Sequence, residues 1–517
     1  MSDLPDGVYT WDTCGYRGGG RLRWSALVLA ACTVSGPSAD PVPRKGGSDS
    51  ASSSATTTPT TPTAPTTPTS VTDTAVVAGA SCSVTADNAV RLGCTLAAPV
   101  ADTFAVTVTE VGSDVSRRFE TRVPATHAIV PVSLLAAETE YSWIASGSGV
   151  GELGGGRIVT GVLPAEAGYS VAHAALDPLS DHLLVPTGCG DLPTLTVADK
   201  LGRVVWYASF PGSDTLIAAA PTERDSFVVL LDRGRVVEVD LAGQFRLDLD
   251  LSATVGRPLH HDISVSEGRI QVLSAFETVG ADGAEYVVDG VILVDAAGEV
   301  VGRWDLTDWI TPSGGPTEDL AAYWLGTFGS ALDWSHANTV QPGPPGTMLV
   351  SFRHLHTIVQ VRSDPADPAF GEVDWWLSAP ASVLDGGLVL AAGPDIPAPH
   401  DFVYQHHATV DESGRLLVFD NRRPTDGVDS RALALTLTDD TATIDQVWSL
   451  PDFCPFQGGA FAVGDDRVLV TCPLVPYVLE LGTGGTVHRR FEPRCADGTE
   501  YASRIVPWSP RSRIVVD

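Results

Sequence analysis

The sequence predicts an all-β protein: a six-bladed β-propeller preceded by a small β-sandwich. Three observations carry that expectation. Short alternating strands with no helical period fill residues 78–163, two interleaved repeat units fill the rest, and the composition is globular but low in charge. Of 517 residues, 44% are hydrophobic and 18% charged, which gives a large buried core and excludes global disorder. The 32 basic and 63 acidic residues sum to −31, with no basic stripe, which argues against a nucleic-acid partner. No apolar run reaches the ~18 residues of a membrane-spanning helix.

Residues 1–36 read as a signal region. The stretch RLRWSALVLAACTVSG (21–36) sets two arginines before a short apolar run ending Leu29-Ala30-Ala31-Cys32. It resembles a bacterial lipoprotein signal, with Cys32 lipidated after cleavage. A polar stretch over 1–20 precedes it, so the true start codon is left open. Residues 37–77 are rich in Ser, Thr and Pro (TTTPTTPTAPTTPT) and are expected to form a disordered tether. The chain is therefore expected to be an exported lipoprotein, periplasmic or at the cell surface, touching the membrane only through its lipid. Besides Cys14 and Cys32, six cysteines remain, and none forms a C-x-x-C pair, so a zinc site is not indicated. An oxidising compartment favours disulfides. Cys82–Cys94 is the most local pair; Cys454–Cys472 and Cys189–Cys495 are the other two expected.

The sandwich is expected over 78–165. Seven candidate strands appear: SCSVTA, AVRLGCTLA, TFAVTVTEV, SRRFETRV, HAIVPVSL, TEYSWIAS and RIVTGV. The stretch LLAAETEYSW (134–143) resembles a fibronectin type III domain near its tyrosine. No reactive cluster lies here, so its expected role is spacing, docking or dimerisation, and a homodimer is left open.

The propeller is expected over 166–517. One repeat unit is a polar turn followed by a strand. It occurs as DHLLVPTG (from Asp181), DSFVVLLDRG (Asp225), EGRIQVLSA (Glu267), PGTMLVSFR (Pro345), SGRLLVFDN (Ser413) and DDRVLVTCP (Asp465). The second unit is a turn followed by a strand with an aromatic residue. It occurs as LGRVVWY (Leu201), AGQFRLDL (Ala242), AGEVVGRW (Ala297), FGEVDWWL (Phe370), TATIDQVWSL (Thr441) and TGGTVHRRF (Thr483). Six interleaved copies of each indicate six small antiparallel sheets around a channel. The longest insertion, around 305–333, is expected to hold a short helix over one channel mouth.

Three repeat copies carry a histidine at one position: His261-Asp-Ile-Ser-Val, His336-Ala-Asn-Thr-Val and His406-His-Ala-Thr-Val. Equivalent positions in successive blades lie on one ring, so the three imidazoles are expected to converge at the channel. The whole chain has twelve histidines, so chance is a poor account. Three histidines can bind a metal, as in a hydrolase or lyase, or can act on an anion as nucleophile, acid and donor. A non-catalytic ligand- or partner-binding propeller is the third reading. Arg353, which ends the strand TMLVSFR, favours an oxyanion, because its guanidinium would oppose a metal and can grip a sulfuryl or phosphoryl group. Asn338, Asp420 and Asn421 are polar neighbours.

The segments DWSHANTV (333–340), SFRHLHTIVQVR (351–362), YQHHATVDESGRLLVFDN (404–421) and SRALALTLTDDTATIDQVWSL (430–450) together resemble the bacterial arylsulfate sulfotransferases over roughly residues 170–510. The resemblance implies a six-bladed propeller with the site in its channel, and no nucleotide donor or other cofactor. It implies transfer of a sulfuryl group from a phenolic sulfate ester to another phenol through a sulfohistidine. The transiently sulfated residue maps to His406, and the remaining catalytic residues to His336, Arg353 and His261. The H-H-D motif leaves His260 as the alternative to His261; strand alternation puts only one of each doubled pair toward the channel, and the repeat alignment chooses His261 and His406. His260, His407, Asn338 and Asn421 are expected to bind substrate, and Trp334, Trp375, Trp376 and Tyr404 are candidates to stack the aryl rings.

Overall fold

A computed structural model of the protein describes residues 79–515, apart from 97–102, 123–128, 150, 176, 190–191, 214, 233, 315–320, 424–427, 474–476, 496–503 and 511–513. The signal region, Cys32 and the Ser/Thr/Pro tether lie outside the described residues. All seven sandwich strands are present, from Ala80–Thr85 to Gly151–Val159. Alternation sets their faces: in Glu140–Gly147, Tyr141, Trp143 and Ala145 are buried while Ile144 is exposed. They form a three-stranded and a five-stranded sheet. The fifth strand of the second sheet is Ile514–Val515, which runs parallel to Ser116–Arg122. The chain therefore crosses the boundary expected at residue 166 a second time, leaving the propeller to pair with the sandwich.

Six further sheets form the blades of a propeller. The innermost strands of blades two to six are Leu216–Pro221, Leu259–Ser266, Ala337–Pro342, His407–Val410 and Gly459–Ala462. Each touches the next in order, and Val506–Trp508 supplies the inner strand of blade one and meets blade two. The first repeat unit is the second strand of each blade. In SFVVLL, TMLVSF and LLVFD every residue is buried. Such a strand has a neighbouring blade on both faces, so its sequence is continuously apolar rather than alternating. The second unit is a tight turn and the outer strand. In AGEVVGRW, Asp295 accepts from the backbone of Ala297 and Glu299, and Gly298 takes φ 88°, where a Cβ is disfavoured.

The ring is closed from both chain directions. Val506–Trp508 completes blade one, while Tyr169–Ala175 adds a strand to the outer edge of blade six. The Cys189–Cys495 disulfide joins those two blades, and Cys82–Cys94 and Cys454–Cys472 are also bonded, as expected. The sandwich shares a core with blades one and two, where Phe227 packs between Trp206 and Trp508 at 4.9 and 5.0 Å. Its Glu110 is gripped by both Nη atoms of Arg203 at 2.8 and 3.0 Å. The insertion after blade three holds a helix, Ala321–Phe328. No helix among the described residues is long and apolar enough to cross a membrane.

Candidate active site

The inner strands of blades three and four are not regular where the histidines sit. Pairing jumps from Leu259–Ser274 to Ile263–Val272, and from Ala337–Phe352 to Thr339–Ser351, so extra residues are looped out. His261 and His336 take left-handed backbone angles, φ 56° and 44°. Non-glycine residues there cost about 1–3 kcal/mol, a strain that concentrates at functional sites. In blade five His406 stands just before the strand, its N–H donating to the Phe419 carbonyl at 3.1 Å. Alternation therefore fails at His260 and His261. His260 and His261 touch each other, Nδ1 to Nδ1 at 2.7 Å, because the bulge turns both inward.

His261 and His336 meet with ring centroids 4.8 Å apart. His406 is near enough to feel His336 and Arg353, and His261 feels His406. The structure thus brings together His261, His336, His406 and Arg353. All three imidazoles titrate far below the usual histidine range. Burial is the main cause for each; His336 is pushed to about 3, with Arg353 next. For His406 Arg353 follows burial, and for His261 the neighbouring histidines do. They are neutral at neutral pH, so which nitrogen carries the proton decides what each can do.

Hydrogen bonds settle that for His406. Its Nδ1 faces two acceptors, Asn421 Oδ1 at 2.8 Å and the Tyr404 carbonyl at 3.2 Å. The Asn421 amide nitrogen donates to the Cys454 and Gln457 carbonyls at 2.7 and 2.9 Å, which fixes its oxygen toward His406. Nδ1 therefore carries the proton and Nε2 a lone pair. His336 pairs differently, its Nδ1 lying 2.6 Å from Asp333 Oδ2. Burial raises Asp333 to about 7, so the proton of this pair can sit on either partner near neutrality.

Arg353 lies over the Tyr404 ring at 4.5 Å, which holds its guanidinium in place. The helix of the insertion covers the histidines, as expected. Tyr323 sits 5.0 Å from the His261 ring and 5.3 Å from that of His336, and Trp324 packs on His260. Of the four expected aryl-stacking residues only Tyr404 stands beside Arg353. Trp334 donates to the Gly314 carbonyl, Trp375 to Gln360, and Trp376 packs on Trp309.

The residues expected to bind substrate engage protein groups instead. Asn421 holds His406 as described. Asn338 is fully buried, with its amide donating to the Gln405 carbonyl at 2.6 Å, and so ties blade four to blade five. His407 faces blade six, its Nδ1 against the Ala460 backbone and its ring on Phe461. His260 contacts Asp289 through Nε2 at 3.0 Å. Asp420 is bonded by Arg431 at 2.9 Å and by the Val403 backbone at 3.0 Å.

Sequence reasoning missed Asp289, Asp333, His354, Tyr323 and Arg504. Asp333 had a signal, since it opens the DWSH motif three residues before His336. Arg504 had none. It reaches the channel from the far end of the chain and bonds groups in blades three to six.

Asp333, His336 and His354 form a group of possible metal ligands, their ligating atoms all within 4.8 Å of one another. Two bonds already engage it: His336 Nδ1 meets Asp333, and His354 Nδ1 meets the Asp333 carbonyl at 2.7 Å. The Arg353 charge also acts on all three residues and opposes a cation. Among the described residues, His261 and His406 do not join His336 in any such group.

A propeller whose inner strand ends gather three neutral imidazoles and a guanidinium defines a site for chemistry on a tetrahedral oxyanion. Residues 171–452, more than half of the chain, match the Arylsulfotransferase (ASST) family model, and the chain belongs to that family. No curated protein matches it significantly. Similar solved structures include a streptogramin B lyase (11% identity, 63% of this chain and 88% of that one, TM-score 0.33). BamB from Moraxella catarrhalis is another (13%, 64% and 98%, TM-score 0.32). A third is the periplasmic gluconolactonase PpgL from Pseudomonas aeruginosa (11%, 63% and 98%, TM-score 0.34).

Proposed function

We propose that the protein moves a sulfuryl group from a phenolic sulfate ester to another phenol through a sulfohistidine on His406, without a nucleotide donor. The observation that carries the reading is the fixed tautomer of His406, whose Nδ1–H is committed to Asn421 and the Tyr404 carbonyl. Its Nε2 lone pair attacks sulfur, the S–O bond to the phenol breaks, and phenoxide leaves. Arg353 and His336 hold the sulfuryl oxygens, where charge is spread in the transition state. An acceptor phenol oxygen then attacks the sulfur, the N–S bond breaks, and His406 Nε2 recovers its electron pair. A neighbouring histidine carries the phenolic proton in each direction.

We also propose that the enzyme is an exported lipoprotein held by Cys32 on its Thr/Pro tether. Three disulfides support an oxidising compartment.

The test is pre-steady-state release of phenol from a chromogenic aryl sulfate, with chelator present and no nucleotide. One equivalent per enzyme is expected without acceptor, and steady turnover with phenol. The peptide containing His406 should gain an acid-labile sulfuryl mass. His406→Ala should lose the burst and about 10³-fold or more in turnover. Turnover retained in His406→Ala, or dependent on added metal, would overturn the proposal.

A further inference from the structure

Behind His261 lies a chain of buried polar groups that the transfer mechanism above does not use. His261 Nδ1 meets His260 Nδ1 at 2.7 Å, and His260 Nε2 stands 3.0 Å from Asp289 Oδ1 as a charge contact without hydrogen-bond geometry. The other carboxylate oxygen, Oδ2, accepts from the Ser335 hydroxyl at 2.5 Å and the Ala337 backbone at 2.6 Å. His260 and Asp289 are 2% and 1% exposed, so water does not supply these bonds.

The order of protons follows from the acceptors. The negative charge of Asp289 favours the His260 N–H on Nε2, the nitrogen nearest to it. Its Nδ1 is then a lone pair and accepts from His261 Nδ1–H. That leaves His261 Nε2 as a lone pair. A proton arriving there lets Nδ1–H move across the 2.7 Å bond to His260, whose positive charge the nearby Asp289 carboxylate balances. Burial, and after it the neighbouring His336, His260 and His406, oppose a positive charge that stays on His261. Asp289 also touches the next blade, because Ser335 and Ala337 flank His336. One carboxylate on the third strand of blade three thus sets His261 through His260 and fixes the backbone on both sides of His336.

We infer that Asp289 and His260 are positioning residues that form a proton relay and make His261 the base for the acceptor phenol. The inference rests on the sulfohistidine reading. In the second half-reaction the phenol O–H gives its proton to His261 Nε2. The oxygen's electron pair forms the O–S bond, and the N–S bond breaks with its electrons returning to His406 Nε2. The proton later leaves to solvent or to the next departing phenoxide. His336, by contrast, stays with Arg353 on the sulfuryl oxygens.

The two half-reactions separate this role from packing. Release of p-nitrophenoxide, a good leaving group, needs no proton, whereas a weakly acidic phenol attacking sulfohistidine must lose one. His260→Ala and the conservative His260→Gln are each followed in both half-reactions, with melting curves confirming the fold. Burst formation from p-nitrophenyl sulfate is expected to fall by no more than about threefold, while transfer to weakly acidic phenols falls roughly 10²–10⁴-fold. Transfer to strongly acidic phenols should be spared, so the rate depends more steeply on acceptor pKa than in the wild type. His260→Gln, whose amide can bond both neighbours but cannot pass a proton, should show the same split. Equal losses in both half-reactions, or no change in the dependence on acceptor pKa, would overturn the relay and leave the sulfohistidine reading standing. Absence of a burst in the wild-type enzyme would overturn both.

Discussion

The side-chain oxygen of Asn421 lies 2.8 Å from Nδ1 of His406, and two backbone carbonyls turn the Asn421 amide so that no other atom can face the ring. One of them belongs to Cys454, which is bonded to Cys472. A neutral acceptor here does what a carboxylate could not: it fixes the tautomer without adding charge beside an incoming sulfate ester. Asn421→Ala frees the ring to rotate and to exchange tautomers. Burst formation is expected to slow by about 10–100-fold, as for other residues that orient a reacting imidazole. Stopped-flow traces on aryl sulfate check this, and a wild-type burst rate in Asn421→Ala would show that the Tyr404 carbonyl alone suffices.

The Asp333–His336 pair predicts a pH dependence with a definite sign. Below about 7 the Asp333 carboxyl is protonated and donates to Nδ1, so His336 carries its proton on Nε2 and can donate to a sulfuryl oxygen. Above it, Nδ1–H donates to the carboxylate, and a bare Nε2 lone pair faces the anion. KM for the donor is expected to rise above pH 7, by at most about tenfold per pH unit. Asp333→Asn removes the titration and should flatten the profile. A donor KM that stays level from pH 6 to 9 in the wild type would contradict this account.

How much of this was legible follows from which forces act locally. The fully buried second strands and the turn before each outer strand imposed patterns on the sequence, so the blades could be counted before they were seen. His261, His336 and His406 were visible because one repeat position recurs in three blades. The partners that give them their roles were not. Asp289 reaches His260 across a sheet, and Arg504 reaches the ring from a strand that closes the circle, and neither distance is written in local spacing. Alternation separates His406 from His407 but not His260 from His261, because it assumes a pleated strand and His261 sits at φ 56° in a bulge. The protein partners of Asn338 and His407 were not legible either, since sequence does not say which neighbouring blade a polar side chain meets.

The buried histidines also predict acid lability. His336 and His354 are depressed to about 3, and His182 and His356 to about 4, in each case mainly by burial. The unfolded chain binds protons at these sites near pH 6.5 and the folded chain does not, so stability falls as pH drops below that value toward 3. Raised carboxyls act the other way: Asp333, Asp262 and Asp420 bind protons more readily when folded. Four depressed histidines against three raised carboxyls leave a net loss on acidification, and His261, His406 and His407 add to it. Melting temperature should fall steadily between pH 6.5 and 4.5, by calorimetry on the protein without its tether. A melting temperature that rises over that range would mean the carboxyls dominate.

Arg504 yields the strongest prediction about assembly. Its Nη1 donates to Asp262 Oδ1 at 2.7 Å in blade three. Its Nη2 donates to the Asn338 carbonyl at 3.2 Å in blade four and the His406 carbonyl at 3.1 Å in blade five. Its Nε donates to the Gly458 carbonyl at 3.2 Å, at the edge of blade six. These contacts fall beside His261, His336 and His406, so one guanidinium aligns the backbone that carries them. A lysine keeps the charge but has neither the planar fork nor the donor count to serve four blades. Arg504→Met leaves the buried Asp262 carboxylate without its cation, which costs about 3–5 kcal/mol. Arg504→Lys should recover part of the stability but little of the burst rate, because the charge is restored while the alignment of His261 and His406 is not. Stability from denaturant titration and the burst amplitude, measured on both variants, check the two effects separately. If Arg504→Met unfolds at the wild-type denaturant concentration, strand packing alone holds these blades in register, and the arginine serves only to place charge near the imidazoles.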